Sequence, residues 1–319
     1  NREAKIIRIK ERRKKRFVGI IRKEKKNVFV YTTGKKDKVE FYIRRKTRAK
    51  ENEIVVVEFK NWDNEYPEAE IVKIIGRQGE VENEIHAILE EYSLPYKFSK
   101  EKIKEAAGLG KHQTKEEYKK RKDLRNTTTL TIDPEDAKDF DDAISIERKG
   151  KITEIGIHIA DVTHFLKKGT ELDKEAYVRG TSVYLVDRVV PMLPESLSNN
   201  LCSLIPNEEK LTFSIIFSFN KNGEADKYWA GKTIINSNHR FSYKEAQHII
   251  ENTTSTIPKD ISLTKREYKI DNKLRKGILL LNNISKKLRK ERILKGSILF
   301  NKKEMGFVLN KEKEPIEMK

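Results

Sequence analysis

The stretch Thr131-Ile-Asp-Pro-Glu-Asp-Ala-Lys-Asp-Phe-Asp-Asp-Ala143 places five aspartates within ten residues, directly after an apolar segment that predicts a strand, and four of them are the candidate metal ligands. The four are Asp133, Asp139, Asp141 and Asp142. Pro134 cannot donate a hydrogen bond to a neighbouring strand, so we expect a loop to begin there. Carboxylates this close repel one another strongly unless a cation lies among them. Hard oxygen ligands suit Mg²⁺, which also takes phosphate oxygens, so the stretch favours a metal site for phosphodiester cleavage.

Two other interpretations of this stretch are a calcium loop and a solvated acidic turn. An EF-hand loop needs oxygen ligands at positions 1, 3 and 5 and glycine at position 6. A register that starts at Asp133 places Lys138 at the glycine position, and one that starts at Asp139 places Ile144 there. Neither register fits. A solvated turn usually lacks apolar residues such as Phe140, but composition alone leaves this alternative open.

The charge of the chain is unevenly distributed. The 319 residues carry a net charge of +18, and residues 1–60 hold 22 Lys+Arg against 8 Asp+Glu, whereas residues 128–256 are net acidic. A basic segment favours a polyanionic partner, because each phosphate that Lys or Arg neutralises releases counterions. A well-solvated lysine-rich surface is the alternative.

Cysteine content and hydropathy argue against a disulfide-stabilised protein, a cysteine-based zinc protein and a membrane-spanning protein. The single cysteine, Cys202, excludes a disulfide framework and a cysteine-based zinc site. No apolar stretch approaches the ~20 residues that a membrane span needs, and the first residues lack an apolar signal core. We therefore expect a cytoplasmic, monomeric protein with no membrane partner. Because the chain begins at Asn1 without Met, we also expect a longer parent protein.

Residues 1–76 predict a small β-barrel of the OB or cold-shock type, because five short apolar strands alternate with turns rich in Lys, Asn and Gly. The predicted strands are Phe17–Ile21, Asn27–Thr32, Val39–Ile43, Ile54–Phe59 and Ala69–Ile74. In the second strand, Phe29 and Tyr31 alternate with valines. If these rings face outward beside Lys25 and Lys26, they form a platform on which bases stack. The alternative places the aromatics in the barrel core.

The remainder of the chain predicts a helical linker at 77–124 and a mixed α+β domain with a mostly antiparallel sheet at 125–319. The strands expected in this domain are Thr128–Ile132, Ala143–Glu147, Ile155–Val162, Thr181–Leu185 and Leu211–Phe219. We also expect one long basic helix at 265–293 and a hairpin at 296–319 with strands Ser297–Phe300 and Gly306–Leu309. His158 and Cys202 are interpreted as buried structural residues, and Asp161 as a support for the acidic stretch.

The acidic stretch resembles the motif of the ribonuclease II/ribonuclease R (RNB) family. Other segments in the same order also resemble family blocks, namely Arg121–Arg125, Ile157–Val162, Thr181–Leu185, Val190–Pro194 and Leu197–Leu204. By this resemblance, the barrel is similar to the second cold-shock domain of the family. Residues 125–319 are then the first, incomplete part of an RNB-type α+β catalytic domain. The resemblance is closer to ribonuclease R than to ribonuclease II.

The resemblance implies a processive 3′→5′ exoribonuclease that hydrolyses single-stranded RNA to nucleoside 5′-monophosphates during RNA decay. It implies one or two Mg²⁺ ions, replaceable by Mn²⁺, held by the four aspartates. Asp141 matches the acid on which catalysis depends most, and Tyr184 matches an aromatic that clamps the 3′-terminal base. Arg125, at the end of the basic segment, is an expected RNA contact. A non-catalytic RNA-binding module and a nuclease acting on DNA remain as alternatives.

Overall fold

The structure, a computed structural model, describes residues 7, 14–34, 38–62, 65–112, 115–221, 223–300, 305–312 and 314–318. The chain divides into two units. The first comprises residues 1–97, 186–190 and 307–319, and the second comprises residues 98–185 and 191–306. The domain boundaries expected at 76/77 and 124/125 stay a prediction.

Five strands of the first unit close into a barrel with the order β1-β2-β3-β5-β4. They are β1 (Arg16–Glu24), β2 (Asn27–Thr32), β3 (Glu40–Tyr42), β4 (Glu53–Asn61) and β5 (Glu68–Arg77). Alternate side chains such as Ile21, Val30 and Phe41 fill the interior and are fully buried. At Gly19 a Cβ atom would lie 2.6 Å from the carbonyl oxygen of Tyr31, so strand pairing at this point requires glycine. The predicted OB-type barrel is confirmed.

Helix α1 (Val81–Glu91) packs against the outside of the barrel in the same unit. Its Ala87 joins Val18, Ile54 and Val56 in a small buried cluster. This contact fixes the helix that directly follows the last barrel strand.

A seven-stranded sheet forms the centre of the second unit, with the order β14-β7-β8-β9-β12-β13-β6. The strands are β6 (Lys122–Asp123), β7 (Thr129–Asp133), β8 (Asp142–Lys149), β9 (Ile152–Ala160), β12 (Glu209–Phe219), β13 (Ala225–Asn236) and β14 (His239–Ser242). Short strands β10 (Val183–Tyr184) and β11 (Val189–Val190) precede β12 in the chain. All neighbours in the sheet are antiparallel except β14–β7 and β13–β6, which are parallel. The predicted mixed α+β fold with a mostly antiparallel sheet is confirmed.

Helices of the second unit pack around this sheet. They are α2 (Lys100–Gly108), α3 (Lys115–Lys119), α4 (Val162–Phe165), α5 (Glu171–Arg179), α6 (Tyr243–Asn252) and α7 (Asn272–Leu294). A 3₁₀ turn at Leu109–His112 and a π-helical turn at Leu197–Leu201 connect them. Two further strand pairs are β15 (Thr256–Ile257) with β16 (Tyr268–Lys269), and β17 (Phe307–Leu309) with β18 (Pro315–Met318). No helix of the described residues is both long and apolar enough to cross a membrane.

The start of α6 shows how the polar groups near the sheet are satisfied. Ser242, the last residue of β14, accepts a hydrogen bond from the amide of Glu245, and the Glu245 carboxylate accepts one from the amide of Ser242. This reciprocal capping box satisfies two amides that the helix leaves free. The Glu245 carboxylate is fully buried and also accepts hydrogen bonds from the Leu263 amide and the Tyr268 hydroxyl.

The C-terminal region differs from the prediction in two places. The long helix α7 begins at Asn272 and not at 265, because Asp271 has an extended backbone and its side chain caps the amide of Lys273. The hairpin is wrong in one of its strands. The predicted strand Gly306–Leu309 is present as Phe307–Leu309, but it pairs with Pro315–Met318, and Ser297–Phe300 forms no strand. The twelve-residue strand β13 was not predicted, since its first residues are polar and exposed and hide the alternation.

Candidate active site

The four aspartates lie at one end of the sheet, on the connection between β7 and β8. Asp133 is the last residue of β7 and Asp142 is the first of β8, so Asp139 and Asp141 belong to the loop between them. The amide of Ala160 on β9 donates a hydrogen bond of 3.0 Å to the carbonyl oxygen of Asp141. The sheet therefore fixes both ends of the acidic loop, and the sequence prediction of a strand followed by a loop holds.

Ser203 anchors the middle of the loop. Its hydroxyl accepts a hydrogen bond of 3.0 Å from the Phe140 amide and donates one of 2.8 Å to the Lys138 carbonyl. The amide of Leu204 adds a bond of 2.9 Å to the Phe140 carbonyl. The Phe140 side chain is only 5% exposed and packs in the core. An apolar residue thus stands inside the acidic stretch because it ties the loop to the sheet.

Arg240 of β14 holds the loop from the opposite side. Its Nη2 atom donates hydrogen bonds of 2.9 Å to the carbonyl oxygens of both Pro134 and Glu135. The guanidinium carbon lies 4.8 Å from the centre of the Phe140 ring, at cation–π distance. This role could not be predicted from the sequence, since Arg240 reaches the loop through the parallel pairing of β14 with β7.

Burial and mutual repulsion raise the pKa of two carboxyl groups of the site, those of Asp133 and Asp141. Asp133 is 8% exposed, and its Oδ2 atom is buried without a hydrogen-bond partner among the described residues. Burial raises the pKa of Asp133 and the charges of Asp142 and Asp139 raise it further, whereas the nearby Thr131 hydroxyl and the charge of Arg240 offset part of the increase. Asp141 lies at the surface, but partial loss of hydration raises the pKa of its carboxyl, and Asp139, Asp142 and Asp133 add to this. The four groups therefore share one region of negative potential.

These carboxylates fit a hard divalent cation in the type and number of their donors. An unpartnered buried oxygen beside three further carboxylates is a site where a cation would relieve both desolvation and repulsion. Within the described ranges, however, no three side chains of His, Cys, Asp or Glu converge closely enough to form a finished metal-binding group. Metal binding at this site would thus draw the carboxylates closer together. The backbone of the loop is already fixed by Ser203 and Arg240.

Tyr184 lies beside the acidic loop. Its hydroxyl donates a hydrogen bond of 3.2 Å to Oδ2 of Asp139, and its side chain is 68% exposed. Burial of the hydroxyl region and the nearby Asp139 raise the pKa of this phenol. The structure therefore brings together Tyr184 and the four aspartates, with the aromatic ring accessible to a ligand.

Arg125, an expected RNA contact, lies between two acidic side chains. Its guanidinium forms ion pairs with Asp123 at 2.6 Å and Glu209 at 2.7 Å. These pairs use three of the five N–H groups of the guanidinium. Its contact with RNA stays a prediction.

The barrel residues show a mixed outcome. Of the two orientations left open by the sequence, the structure has the one in which Val30 faces the core and Phe29 and Tyr31 lie on the other face of β2. Phe29 is nevertheless only 8% exposed, because the rings of Tyr42 and Tyr66 cover it at 5.7 and 5.4 Å. The expectation of an open Phe29 ring is therefore wrong.

The neighbours of Phe29 remain accessible. Tyr31 is 38% exposed, and its hydroxyl donates a 2.6 Å hydrogen bond to Glu40, which raises the pKa of the phenol to about 12. Lys25 and Lys26 are exposed in the turn between β1 and β2.

Buried polar residues support the sheet next to the loop. The fully buried His158 bonds through Nδ1 to the Ser214 hydroxyl at 2.6 Å, and burial lowers its pKa to about 4. Asp161 forms a buried ion pair with Arg121 at 2.7 Å and caps α4. Burial raises the pKa of the Cys202 thiol to about 12. All three side chains have the environment of structural residues.

Comparison with known proteins agrees with this arrangement. The RNB domain matches residues 121–319, and the cold shock domain matches residues 29–99. The chain belongs to the RNB family. DIS3-like exonuclease 2 of Schizosaccharomyces pombe is 47% identical over 199 residues, which cover 61% of this chain and 21% of that protein. The chain spans well under half the length of curated RNB relatives that it matches, between 21% and 36% for three of them.

Solved structures share the fold of the RNB chain. Mycoplasma genitalium RNase R in complex with double-stranded RNA superposes with a TM-score of 0.84 and 24% identity, covering 99% of this chain and 54% of that one. Yeast Ssd1, described as a pseudonuclease, superposes with a TM-score of 0.63 and 20% identity over 76% of this chain and 32% of that one. These likenesses establish the fold of both units and not the chemistry.

Proposed function

We propose that the protein is a divalent-metal-dependent 3′→5′ exoribonuclease that hydrolyses single-stranded RNA processively to nucleoside 5′-monophosphates. The observation that carries this proposal is the acidic loop, where the unpartnered Oδ2 of Asp133 lies among three further carboxylates and beside Tyr184. Membership of the RNB family supports the same reaction class.

Asp133, Asp139, Asp141 and Asp142 are the residues that would hold Mg²⁺ or Mn²⁺. When bound, such an ion activates water and stabilises charge on phosphate oxygens. In the hydrolysis, a water oxygen bonds to phosphorus, and the bond from phosphorus to the 3′ oxygen of the penultimate nucleotide breaks. The 5′-phosphate then leaves with the terminal nucleotide.

Asp141 and Tyr184 have separate roles in this proposal. Asp141 is solvent-accessible and its pKa is raised, so its carboxylate is suited to accept the proton of the attacking water. The exposed ring of Tyr184 is suited to stack on the terminal base, and its hydroxyl bond to Asp139 keeps that ring next to the carboxylates. Tyr184 thereby sets the distance between the bound 3′ end and the acidic loop.

The alternative is a non-catalytic RNA-binding protein, and the shared fold with a structure described as a pseudonuclease favours considering it. Retention of all four aspartates argues for catalysis. A cytoplasmic location and a monomeric state are further parts of the proposal that come from the sequence, whereas RNA as the substrate comes from the resemblance to the family.

The test uses the full-length gene product with 3′-labelled RNA and DNA oligomers of matched sequence. The proposal expects labelled mononucleotide to be released from RNA when Mg²⁺ is present and release to cease with chelator. Tyr184→Ala should raise the KM for RNA more than it lowers kcat, whereas Tyr184→Phe should retain most of the affinity. Binding of RNA without any metal-dependent release would support the non-catalytic alternative.

A further inference from the structure

Arg121 is a fully buried cation for which the proposed chemistry has no direct use. It lies directly before β6, the strand at one edge of the seven-stranded sheet, and its side chain is 0% exposed. Burying a guanidinium is costly unless acceptors surround its five N–H groups. The acceptors of Arg121 therefore show which parts of the second unit this side chain holds together.

The guanidinium contacts three neighbouring strands of the sheet. Its Nη1 atom donates hydrogen bonds to the carbonyl oxygens of Thr212 on β12 at 3.2 Å and of Thr233 on β13 at 3.4 Å. Its Nη2 atom donates a 2.7 Å bond to Oδ2 of Asp161, the residue that follows β9. Its Nε atom donates a 2.8 Å bond to Glu117 of α3. One planar group thus joins β9, β12 and β13.

These contacts lie along one row of paired residues that crosses the strands and ends at the acidic loop. Thr233 on β13 is paired with Thr212 on β12, and Thr212 is paired with Ala160 on β9. The amide of Ala160 then donates the 3.0 Å hydrogen bond to the carbonyl oxygen of Asp141. A displacement of β9 relative to β12 would therefore move the backbone of Asp141 directly.

Asp161 connects the guanidinium to this row, because it is the next residue after Ala160. The Asp161 amide donates a 3.0 Å bond to the Leu211 carbonyl, and its Oδ1 atom accepts a 3.2 Å bond from the His164 amide. Its Oδ2 atom is held by Arg121. The end of β9 is therefore fixed through both the backbone and the side chain of Asp161.

We propose that Arg121 is a positioning residue for Asp141. Because it is fully buried, it acts through the backbone: it holds β9, β12 and β13 together and so fixes the Ala160 amide that binds Asp141. Lysine would keep the charge, but a single ammonium nitrogen lacks the planar fork that reaches a carboxylate and two carbonyls together. The importance of Asp141 rests on the proposed function, whereas the order of the Ala160 amide is measurable without hydrolysis.

The test uses the full-length protein with the double variant Arg121→Met/Asp161→Asn. This variant removes the guanidinium without leaving a charged, unpaired Asp161, and the new amide oxygen can still cap α4. Hydrogen exchange of the Ala160 amide should accelerate. Mn²⁺ affinity and the kcat for mononucleotide release should each fall about tenfold, at the low end of the about 10–100-fold cost of losing an outer partner of a metal site. The KM for RNA should not change, and Arg121→Lys should lose less than the double variant.

The matched control is Arg179→Met/Glu175→Gln, which removes another buried arginine–carboxylate pair of the second unit. These two side chains are 2% and 14% exposed and lie 2.9 Å apart. The control should lower the melting temperature but keep the Ala160 exchange rate, the Mn²⁺ affinity and kcat of wild type. A wild-type kcat in the Arg121 double variant, or an equal loss of kcat in the control, would overturn the positioning role. If wild type releases no mononucleotide while exchange and Mn²⁺ affinity respond as expected, only the proposed catalytic function is contradicted.

Discussion

Replacing Arg240 by methionine tests whether the contacts of Arg240 hold the acidic loop in place. Methionine keeps the apolar length of the side chain but removes the hydrogen bonds of 2.9 Å to the carbonyls of Pro134 and Glu135 and the contact with the Phe140 ring. Arg240 is half-buried, so each hydrogen bond from its charged group contributes at the low end of about 1.5–3 kcal/mol. The cation–π contact adds about 0.5–1 kcal/mol. The local stability of the loop should therefore fall by about 3–4 kcal/mol.

Two assays separate this local loss from a general one. Hydrogen exchange of the amides in residues 135–141 should accelerate strongly, and Mn²⁺ titration by calorimetry should show weaker binding, because the aspartates lose a fixed backbone. Arg240→Lys keeps the positive charge but lacks the planar guanidinium, so its exchange rates and Mn²⁺ affinity should lie between those of wild type and Arg240→Met. Arg148→Met, an exposed arginine of the same unit, is the matched control and should leave both readouts unchanged. If Arg240→Met keeps the amide exchange rates and the metal affinity of wild type, Arg240 does not hold the acidic loop in place.

The remaining predictions concern buried charge, pH and reactivity. Arg121→Met should cost about 3–5 kcal/mol in the free energy of unfolding, because it leaves Asp161 buried and unpaired. The double variant Arg121→Met/Asp161→Asn should recover part of that free energy in urea unfolding. If the effects of the two substitutions simply add, Arg121 and Asp161 are not coupled. Because the pKa of Asp141 is raised on folding, the folded state binds more protons than the unfolded state. The charged Asp141 carboxylate therefore destabilises the folded state at neutral pH, and this effect disappears as the pH falls through the raised pKa. Asp141→Asn should therefore raise the melting temperature of the metal-free protein at pH 7 and lose this advantage towards pH 4; a constant difference would contradict the assignment. The thiol of Cys202, with a pKa of about 12 and 6% exposure, should resist alkylation at pH 8 until the protein unfolds, and rapid native-state labelling would show that the site opens.

The barrel could be predicted strand by strand, because its signals are local. The strands are short apolar segments, and residues such as Lys25 and Asn52, with φ of 53° and 65°, mark the turns. The acidic loop was predictable for the same reason, since one short stretch carries all four aspartates. The residues that hold the loop were not predictable. Ser203 and Arg240 reach it from 63 and 106 residues away, and only the strand order of the sheet brings them there.

The same limit applies to two of the predicted RNA contacts. Arg125 is paired with Glu209, which lies 84 residues away in sequence, and its contact with RNA stays a prediction. Phe29 is covered by Tyr42 on the neighbouring strand and by Tyr66 in a loop. Alternation along β2 left open which face Phe29 occupies, and it could not predict what covers that face.

The role of the acidic loop is tested most directly by the rate at which Asp141→Asn in the full-length protein releases nucleoside 5′-monophosphate from the 3′ end of RNA, compared with wild type at saturating Mg²⁺. RNA affinity is measured in parallel by anisotropy. We expect the RNA affinity of Asp141→Asn to stay within a few-fold of wild type while the release of mononucleotide falls by several orders of magnitude. The matched control is Asp136→Asn, at an exposed aspartate of the same loop, and it should retain release. Wild-type release by Asp141→Asn would contradict it.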